Sequence, residues 1–127
     1  GFCSHGFPNL FHMGGVQSGV SPNFTELYNE QSRHVAYVIG AAEAAGARTV
    51  EPTAEAEAEW VAVITASAGS RAEFQESCTP GYYNNEGQPI SESDMFNGSG
   101  HPGGPVAFFE FLDAWRQTGA FAGLSFS

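Results

Sequence analysis

The residues best suited to chemistry in this 127-residue sequence lie in one short stretch, residues 14–23, which reads GGVQSGVSPN. Gly14 and Gly15 tolerate positive φ angles and let a backbone approach a ligand closely. Ser21 is a candidate helix N-cap, and Pro22 suits the first helical position, where its missing N–H costs nothing. A helix that starts after such a turn presents free N–H groups and a partial positive charge. The pattern therefore predicts a backbone site for an anion or the electron-rich edge of a ring.

A second stretch, residues 78–89, reads CTPGYYNNEGQP and combines a Pro-Gly turn with two aromatic side chains and an amide pair. Such a loop is suited to packing against a flat ligand or to gating a site. The residues concerned are Tyr82, Tyr83 and Asn84. Simple packing of the tyrosines at the surface is the alternative interpretation.

The remaining reactive side chains form no recognisable catalytic or metal-binding motif. GxSxG, P-loop and HExxH patterns are absent, and the four histidines are scattered along the chain. His34 is expected to be an ordinary helix histidine, and Cys3 and Cys78 are expected to be free thiols. The acidic run at residues 55–59 is typical of a solvated helix start. We therefore predict no metal site and no turnover by this chain alone.

Three helices are predicted to position these stretches. Apolar residues recur every three or four positions in residues 22–45, 54–68 and 105–118. Thr53 is the expected cap of the second helix. The aromatic side chains of the third helix crowd most of its circumference, which predicts heavy burial.

Strand content is predicted to be small. The apolar run at residues 10–13 is a candidate strand before the glycines, and residues 48–51 are expected to be extended because a proline follows. The tail after residue 119 is expected to form a short edge strand or extended packing. The Gly- and Pro-rich residues 69–104 are expected to be irregular, with a short strand near residues 78–83.

The charge balance excludes several classes of partner. Four Arg and no Lys stand against 14 acidic residues, which gives a formal net charge of −10. Nucleic acids and anionic membrane surfaces require clustered cations, so neither is an expected partner. No apolar run is long enough for a membrane span, and we expect a cytoplasmic protein.

Two sequence blocks carry a family resemblance: HGFPNLFHMGG, from residue 5, and QSGVSPNFTELYNEQSRHVAYVI, from residue 17. They closely resemble the final flavin-contacting segment of Baeyer–Villiger monooxygenases, in the branch that acts on large-ring ketones such as cyclododecanone and cyclopentadecanone. The resemblance continues through GARTVEPTAEAEAEW and CTPGYYNNEGQP. The GxGxxG fingerprints and the FxGxxxHxxxW signature of that family are absent, so the chain is expected to be a C-terminal fragment.

The resemblance implies an α/β fold that forms the C-terminal part of a Rossmann-like FAD-binding domain, with three main helices, short strands and a long irregular loop. Residues 1–68 would hold the strand-turn-helix part and the second helix. Residues 69–104 would be a gating loop, and residues 105–127 the last helix and tail.

The resemblance also implies an activity, with FAD and NADP as cofactors. The enzyme would insert one oxygen atom of O2 into small-molecule ketones to give esters or lactones, and the remainder of the same enzyme would be this chain's partner. The implied flavin contacts are Gly15, Gln17, Ser18, Val20, Ser21, Pro22 and Asn23. The implied substrate and NADP loop contains Tyr82, Tyr83 and Asn84.

Two other functions remain open at this point. One is a fragment of a flavin monooxygenase that oxidises nitrogen or sulfur, which shares the same architecture. The other is a non-enzymatic acidic helical module that binds a partner protein through its Phe- and Trp-rich third helix.

Overall fold

The protein is described by a computed structural model that covers residues 1–19, 21–67, 77–89, 91 and 99–127, without the side chain of Tyr83. Predictions for Val20 and for residues 68–76, 90 and 92–98 lie outside this part. The elements in chain order are helix α1 (Phe24–Ala44), strand β1 (Val50–Pro52), helix α2 (Ala54–Ser67), a 3₁₀ segment (Tyr82–Gly87), helix α3 (Gly104–Thr118) and strand β2 (Leu124–Phe126). The three predicted helices and the α/β class are confirmed.

Helix α1 has one buried face, as its sequence period predicts. The buried positions recur every three or four residues and are Leu27, Gln31, His34, Val38 and Ala42. The helix ends at Ala44. Gly46, two residues later, has φ of 69°, a left-handed conformation that glycine adopts without steric cost.

The N-cap of α1 differs from the prediction. Asn23 caps the helix, because its Oδ1 accepts a hydrogen bond from the Glu26 N–H at 3.2 Å. Ser21 instead accepts from the Asn23 N–H at 3.1 Å, so it shapes the turn before the cap. Pro22 consequently precedes the helix and does not occupy its first position.

The two strands form a short antiparallel pair in which Val50 lies opposite Phe126 and Pro52 opposite Leu124. Thr53, directly after β1, caps α2 as predicted, with its Oγ1 accepting from the Ala56 N–H at 3.2 Å. The strand pair confirms the extended segment before Pro52 and the short edge strand in the tail.

The core lies between the helices and the strand pair. At one end Val38, Ala42 and Val50 are buried together. At the other end the fully buried apolar side chains come from all three helices and are Leu27, Ile64, Phe108 and Leu112. Each helix therefore contributes to a shared interior.

An ion pair in a mostly buried setting joins α1 to α3. Arg116 Nη2 lies 3.3 Å from Glu30 Oε2 and 3.2 Å from Asp113 Oδ1. The Tyr37 hydroxyl donates to the Arg116 carbonyl at 3.0 Å. These bonds fix the C-terminal half of α3 against the middle of α1.

The predicted heavy burial of α3 is only partly correct. Phe108 and Leu112 are buried, whereas Val106 and Phe111 are 67% and 46% exposed. Residues 108 and 112 are one helical turn apart and share the face that packs on the core. Phe111 stacks on Trp60 and His101, at 5.8 and 6.1 Å between ring centroids, but these contacts cover only part of its ring.

The predicted strand at residues 10–13 is wrong for this chain. The backbone there makes only isolated bonds among the described residues, such as His12 N–H to the Phe2 carbonyl at 2.7 Å. Asn9, with φ of 61°, directs its backbone and side chain to Val50 instead. Leu10 and Met13 are each 49% exposed, and no strand of the described residues pairs with this run.

The predicted strand near residues 78–83 is also wrong. The chain turns there into the 3₁₀ segment, in which Asn85 and Glu86 both have φ of 54°. The Asn84 side chain accepts from the Gly81 N–H at 2.7 Å and closes the turn. Local side-chain bonding thus competes with strand geometry.

The backbone at Gly19 makes the closest approach between the stretch before α1 and helix α3. A Cβ added at Gly19 would lie 2.7 Å from the Pro105 Cα and 3.0 Å from the Phe108 Cβ. Only glycine fits between these elements without moving one of them.

We predict that Gly19→Ala destabilises the protein by about 1–3 kcal/mol, since the added methyl must displace the backbone of α3. Gly40→Ala is the matched control, because a Cβ at Gly40 in α1 meets nothing within 4 Å. That change should stabilise by about 0.5–1 kcal/mol through helix propensity. Urea unfolding of both variants tests this, and equal effects of the same sign would contradict the close-approach argument.

Candidate functional site

The candidate site is the stretch of residues 14–23 between the exposed apolar run and α1, here called the glycine loop. Its positive-φ glycine is Gly14, with φ of 149°, and a Cβ at Gly14 would meet nothing within 4 Å. Gly14 is therefore free of steric contact on its open side. The glycine signal of the sequence had correctly located the turn.

The Gly14 peptide is held by a side chain that sequence reasoning missed. Gln31 of α1 accepts from the Gly14 N–H at 2.8 Å and donates to the Gly14 carbonyl at 2.7 Å. Ser18 Oγ donates to the same carbonyl at 2.7 Å. Both side chains have 0% exposure. The residue type of Gln31 does not indicate this role, since a lone Gln in a helix lies more often on a solvated face.

The middle of the glycine loop is tied to the chain before α3. The Gln17 N–H donates to the Ser99 carbonyl at 3.2 Å, and the His101 N–H donates to the Ser18 carbonyl at 2.9 Å. Gln17 has φ of 51°, an uncommon conformation for a residue with a side chain. Its carbonyl accepts from Trp60 Nε1 at 3.2 Å. The backbone of Gln17, more than its side chain, therefore fixes this part of the loop.

Several backbone N–H groups of this region have no acceptor. Within the described residues, those of Gly15 and Val16 and those of Phe24 and Thr25 in the first turn of α1 donate to no other group. A helix start with open amides carries a partial positive charge. The structure thus supplies the donors that the sequence pattern predicts. Of the predicted residues, Asn23 caps the helix, Ser21 accepts from the Asn23 N–H in the preceding turn, and Pro22 is exposed.

The predicted loop residues Tyr82, Tyr83 and Asn84 lie in the 3₁₀ segment. The Tyr82 side chain is 87% exposed, and that of Tyr83 is outside the described part. Asn84 is 3% exposed and donates to the carbonyls of Cys78 and Thr79 at 3.1 Å. The Asn84 amide is therefore committed to its own turn, whereas the Tyr82 ring is accessible.

A cavity of about 370 Å³ lies between α1, α2, α3 and the N-terminal residues, and sequence reasoning did not foresee it. Its walls include the aromatic rings of Phe2, His34, Trp60 and Trp115. The His34 ring stacks on Phe2 at 4.9 Å and meets Trp115 at 5.1 Å between ring centroids. Gln17 is the predicted site residue that also borders this cavity.

His34 is buried and its Nδ1 has no hydrogen-bond partner among the described residues, so it is not the ordinary helix histidine that the sequence predicts. Burial, with a smaller contribution from the nearby Arg116 charge, lowers the pKa of His34 to about 4. The imidazole is consequently neutral at physiological pH.

The two cysteines are free, as expected. Cys3 and Cys78 are free thiols, and burial raises the pKa of Cys3. The described residues contain no cluster of His, Cys, Asp and Glu that could hold a metal ion. In the same residues, no helix combines the length and the apolar character that a membrane crossing requires.

Comparison with known proteins locates this arrangement in a larger enzyme. A Baeyer–Villiger monooxygenase of Streptomyces coelicolor is 45% identical over 117 residues, 92% of this chain and 19% of that enzyme. The polycyclic ketone monooxygenase of Thermothelomyces thermophila matches all of this chain and 20% of its own, with a TM-score of 0.85 and 34% identity. The chain's homologues are Baeyer–Villiger monooxygenases. No profile of a known protein family matches the chain.

The match to these monooxygenases agrees with the first of the three predicted functions. A further similar structure, a steroid monooxygenase bound to NADP, covers 99% of this chain with a TM-score of 0.69 and 26% identity. The chain spans about a fifth of the length of the relatives that it matches. It therefore corresponds to a fragment of these flavin-dependent enzymes and has their α/β fold in that part.

We predict that the stability of the protein falls between pH 6.5 and pH 4 because of His34. The pKa of His34 is lower in the folded than in the unfolded state, so the unfolded state binds more protons in this window. The free energy of unfolding is lower by about 3 kcal/mol at pH 4, and this loss is absent above pH 6.5.

His34→Phe removes the titrating group and keeps a ring between Phe2 and Trp115. Unfolding free energies of both proteins at several pH values check the prediction, and the difference between them isolates His34 from the other histidines. An identical pH dependence of the two proteins would rule it out.

Proposed function

We propose that this chain is the C-terminal part of an FAD- and NADPH-dependent Baeyer–Villiger monooxygenase, which inserts one oxygen atom of O2 into ketones to give esters or lactones. The observation that carries the proposal is the match of the whole chain to one polycyclic ketone monooxygenase with a TM-score of 0.85 and 34% identity. The 45% identity to a Baeyer–Villiger monooxygenase supports it from sequence. We further propose a cytoplasmic location.

The glycine loop is the proposed place of contact with FAD. Gly15 and Val16 have N–H groups without acceptors in the described chain, and the open side of Gly14 leaves room for a flat ring. The contact residues would be Gly15, Gln17, Ser18, Val20, Ser21, Pro22 and Asn23. When bound, FAD would take hydride from NADPH and supply the oxygen-activating chemistry.

The role of the protein here is electrostatic and geometric. The start of α1 stabilises negative charge on a nearby ring edge by about 0.3–2 kcal/mol. Asn23 satisfies the Glu26 N–H, which leaves the first two amides of the helix as the available donors. Because these donors belong to a folded helix, they need no reorganisation when charge develops.

Residues 69–104 are proposed as the loop that gates the NADP and substrate site, between an FAD-domain part (residues 1–68) and the last helix and tail (residues 105–127). Tyr82 is the better candidate for ligand contact, since its ring is exposed while the Asn84 amide is used within its turn. Tyr83 remains a candidate. The NADP of the steroid monooxygenase structure supports the choice of cofactor.

A large ketone is the proposed substrate. The two structural relatives named above act, by their names, on polycyclic ketones and on steroids, and both classes are bulky. The greater identity to the polycyclic ketone enzyme, 34% against 26%, favours the branch for large ketones.

The remainder of the enzyme is the proposed partner of the exposed apolar side chains. Four of these side chains lie within ten residues of each other and are Phe7, Leu10, Met13 and Val16. Because residues 10–13 also lack a neighbouring strand, this segment has both apolar surface and backbone groups to offer to another part of the FAD domain.

The proposed flavin contact is tested with Gly15→Val and Gln17→Ala in the complete enzyme. Val at residue 15 adds bulk beside the open amides and should raise the Kd for FAD by tenfold or more, about 1.4 kcal/mol. Gln17→Ala keeps the backbone bonds of Gln17 and should cost no more than one hydrogen bond, about 1 kcal/mol.

FAD titration followed by fluorescence measures both variants, and circular dichroism confirms that each is folded. Wild-type affinity in a folded Gly15→Val enzyme would remove the glycine loop from the cofactor site.

A further inference from the structure

The side chain of Gln31 joins helix α1 to the glycine loop through three hydrogen bonds. Its Oε1 accepts from the Gly14 N–H at 2.8 Å, and its Nε2 donates to the Gly14 carbonyl at 2.7 Å and to Ser18 Oγ at 3.3 Å. Gln31 has 0% exposure, so water does not compete for these bonds.

The chemistry of this contact requires a primary amide. Gln31 matches both the donor and the acceptor of one peptide unit, much as a neighbouring strand would. A carboxylate could accept from the Gly14 N–H but could not donate to its carbonyl. An apolar side chain of the same size would leave the part-buried Gly14 N–H without this acceptor.

Ser18 closes the arrangement on the far side of the loop. Its Oγ donates to the Gly14 carbonyl at 2.7 Å while it accepts from Gln31. Gly14 and Ser18 are thereby held together, and the residues between them form a closed turn. That turn contains Gly15 and Val16, whose N–H groups have no acceptor among the described residues.

The same bonds fix the turn relative to the helix start. Gln31 lies on α1 two turns after the first residue, Phe24, and the helix is rigid over this distance. The amides of the turn and those of the first turn of α1 are therefore held in one orientation. Without Gln31, Gly14 would keep only the hydrogen bond from Ser18 Oγ among the described residues. The Gly1 amino group, Trp60 Nε1 and the chain before α3 would still hold residues 16–18.

We propose that Gln31 is a positioning residue for the cofactor, which sets the orientation of the Gly15 and Val16 amides against the flavin. The proposal rests on the proposed function, since it assumes that the glycine loop contacts FAD. The hydrogen bonds of the Gln31 side chain among the described residues go to Gly14 and Ser18, so it acts through them.

The test uses Gln31→Met and Ser18→Ala in the complete enzyme. Met has the length and flexibility of Gln but removes all three hydrogen bonds, and Ser18→Ala removes the two bonds made by Ser18. Tyr37→Phe is the matched control, because it removes one bond of the same helix, the 3.0 Å contact with the Arg116 carbonyl, on the side facing α3.

Three quantities are measured on each protein: the Kd for FAD, the visible absorption spectrum of the bound flavin and the melting temperature without FAD. We expect Gln31→Met to raise the Kd about tenfold and to shift the flavin spectrum. Ser18→Ala should change both quantities in the same direction, but less. Tyr37→Phe should lower the melting temperature and leave the Kd and the spectrum unchanged.

The results separate the two proposals. Folded Gln31→Met with wild-type Kd and spectrum overturns the role of Gln31, and the flavin contact itself still stands if Gly15→Val weakens FAD binding. If both variants bind FAD as the wild type does, the assignment of the loop to the cofactor fails as well. Should Gln31→Met not fold, Ser18→Ala decides, and an unchanged spectrum there overturns the proposal.

Discussion

The close contact of the Gly19 backbone with the first turn of α3 is the constraint on which the rest of the arrangement depends. With Pro105 and Phe108 at this distance, no side chain fits at residue 19. The contact brings the glycine loop beside the chain that leads into α3, so that residues 17 and 18 can bond to residues 99 and 101. Phe108 is buried at the same place, where packing and backbone bonding reinforce each other.

Much of the helical fold could be predicted from the sequence, because the information is local. The period of α1 is strong from Leu27 to Ala42, and Thr53 and Gly46 are end signals with a direct physical cause. The cap of α1 was misplaced because Ser21 and Asn23 are both good caps, and only the backbone decides between them. The run at residues 10–13 has strand propensity, but pairing depends on a neighbour that the described chain does not contain.

The candidate site, like the fold, could be predicted from the sequence only in part. Its glycines and helix start are visible as residue types, whereas Gln31 and His34 look like polar residues of a solvated helix face. They are buried because they fall on the same helix stripe as the apolar core residues: Gln31 lies four positions after Leu27, and His34 lies four positions before Val38. Polar residues on a buried stripe are a signal that could have found both. The cavity gave no such signal, since its walls come from the N-terminal residues, all three helices and the tail.

The strand pair has a consequence for the time course of folding. Residue 50 pairs with residue 126, so the intervening chain, including α2 and α3, must be brought into place before the pair can close. Closing so long a loop costs entropy that only a few bonds between three-residue strands repay. Helices of 21 and 15 residues form from local contacts within about a microsecond. We therefore expect the two strands to join last, after the helices have docked.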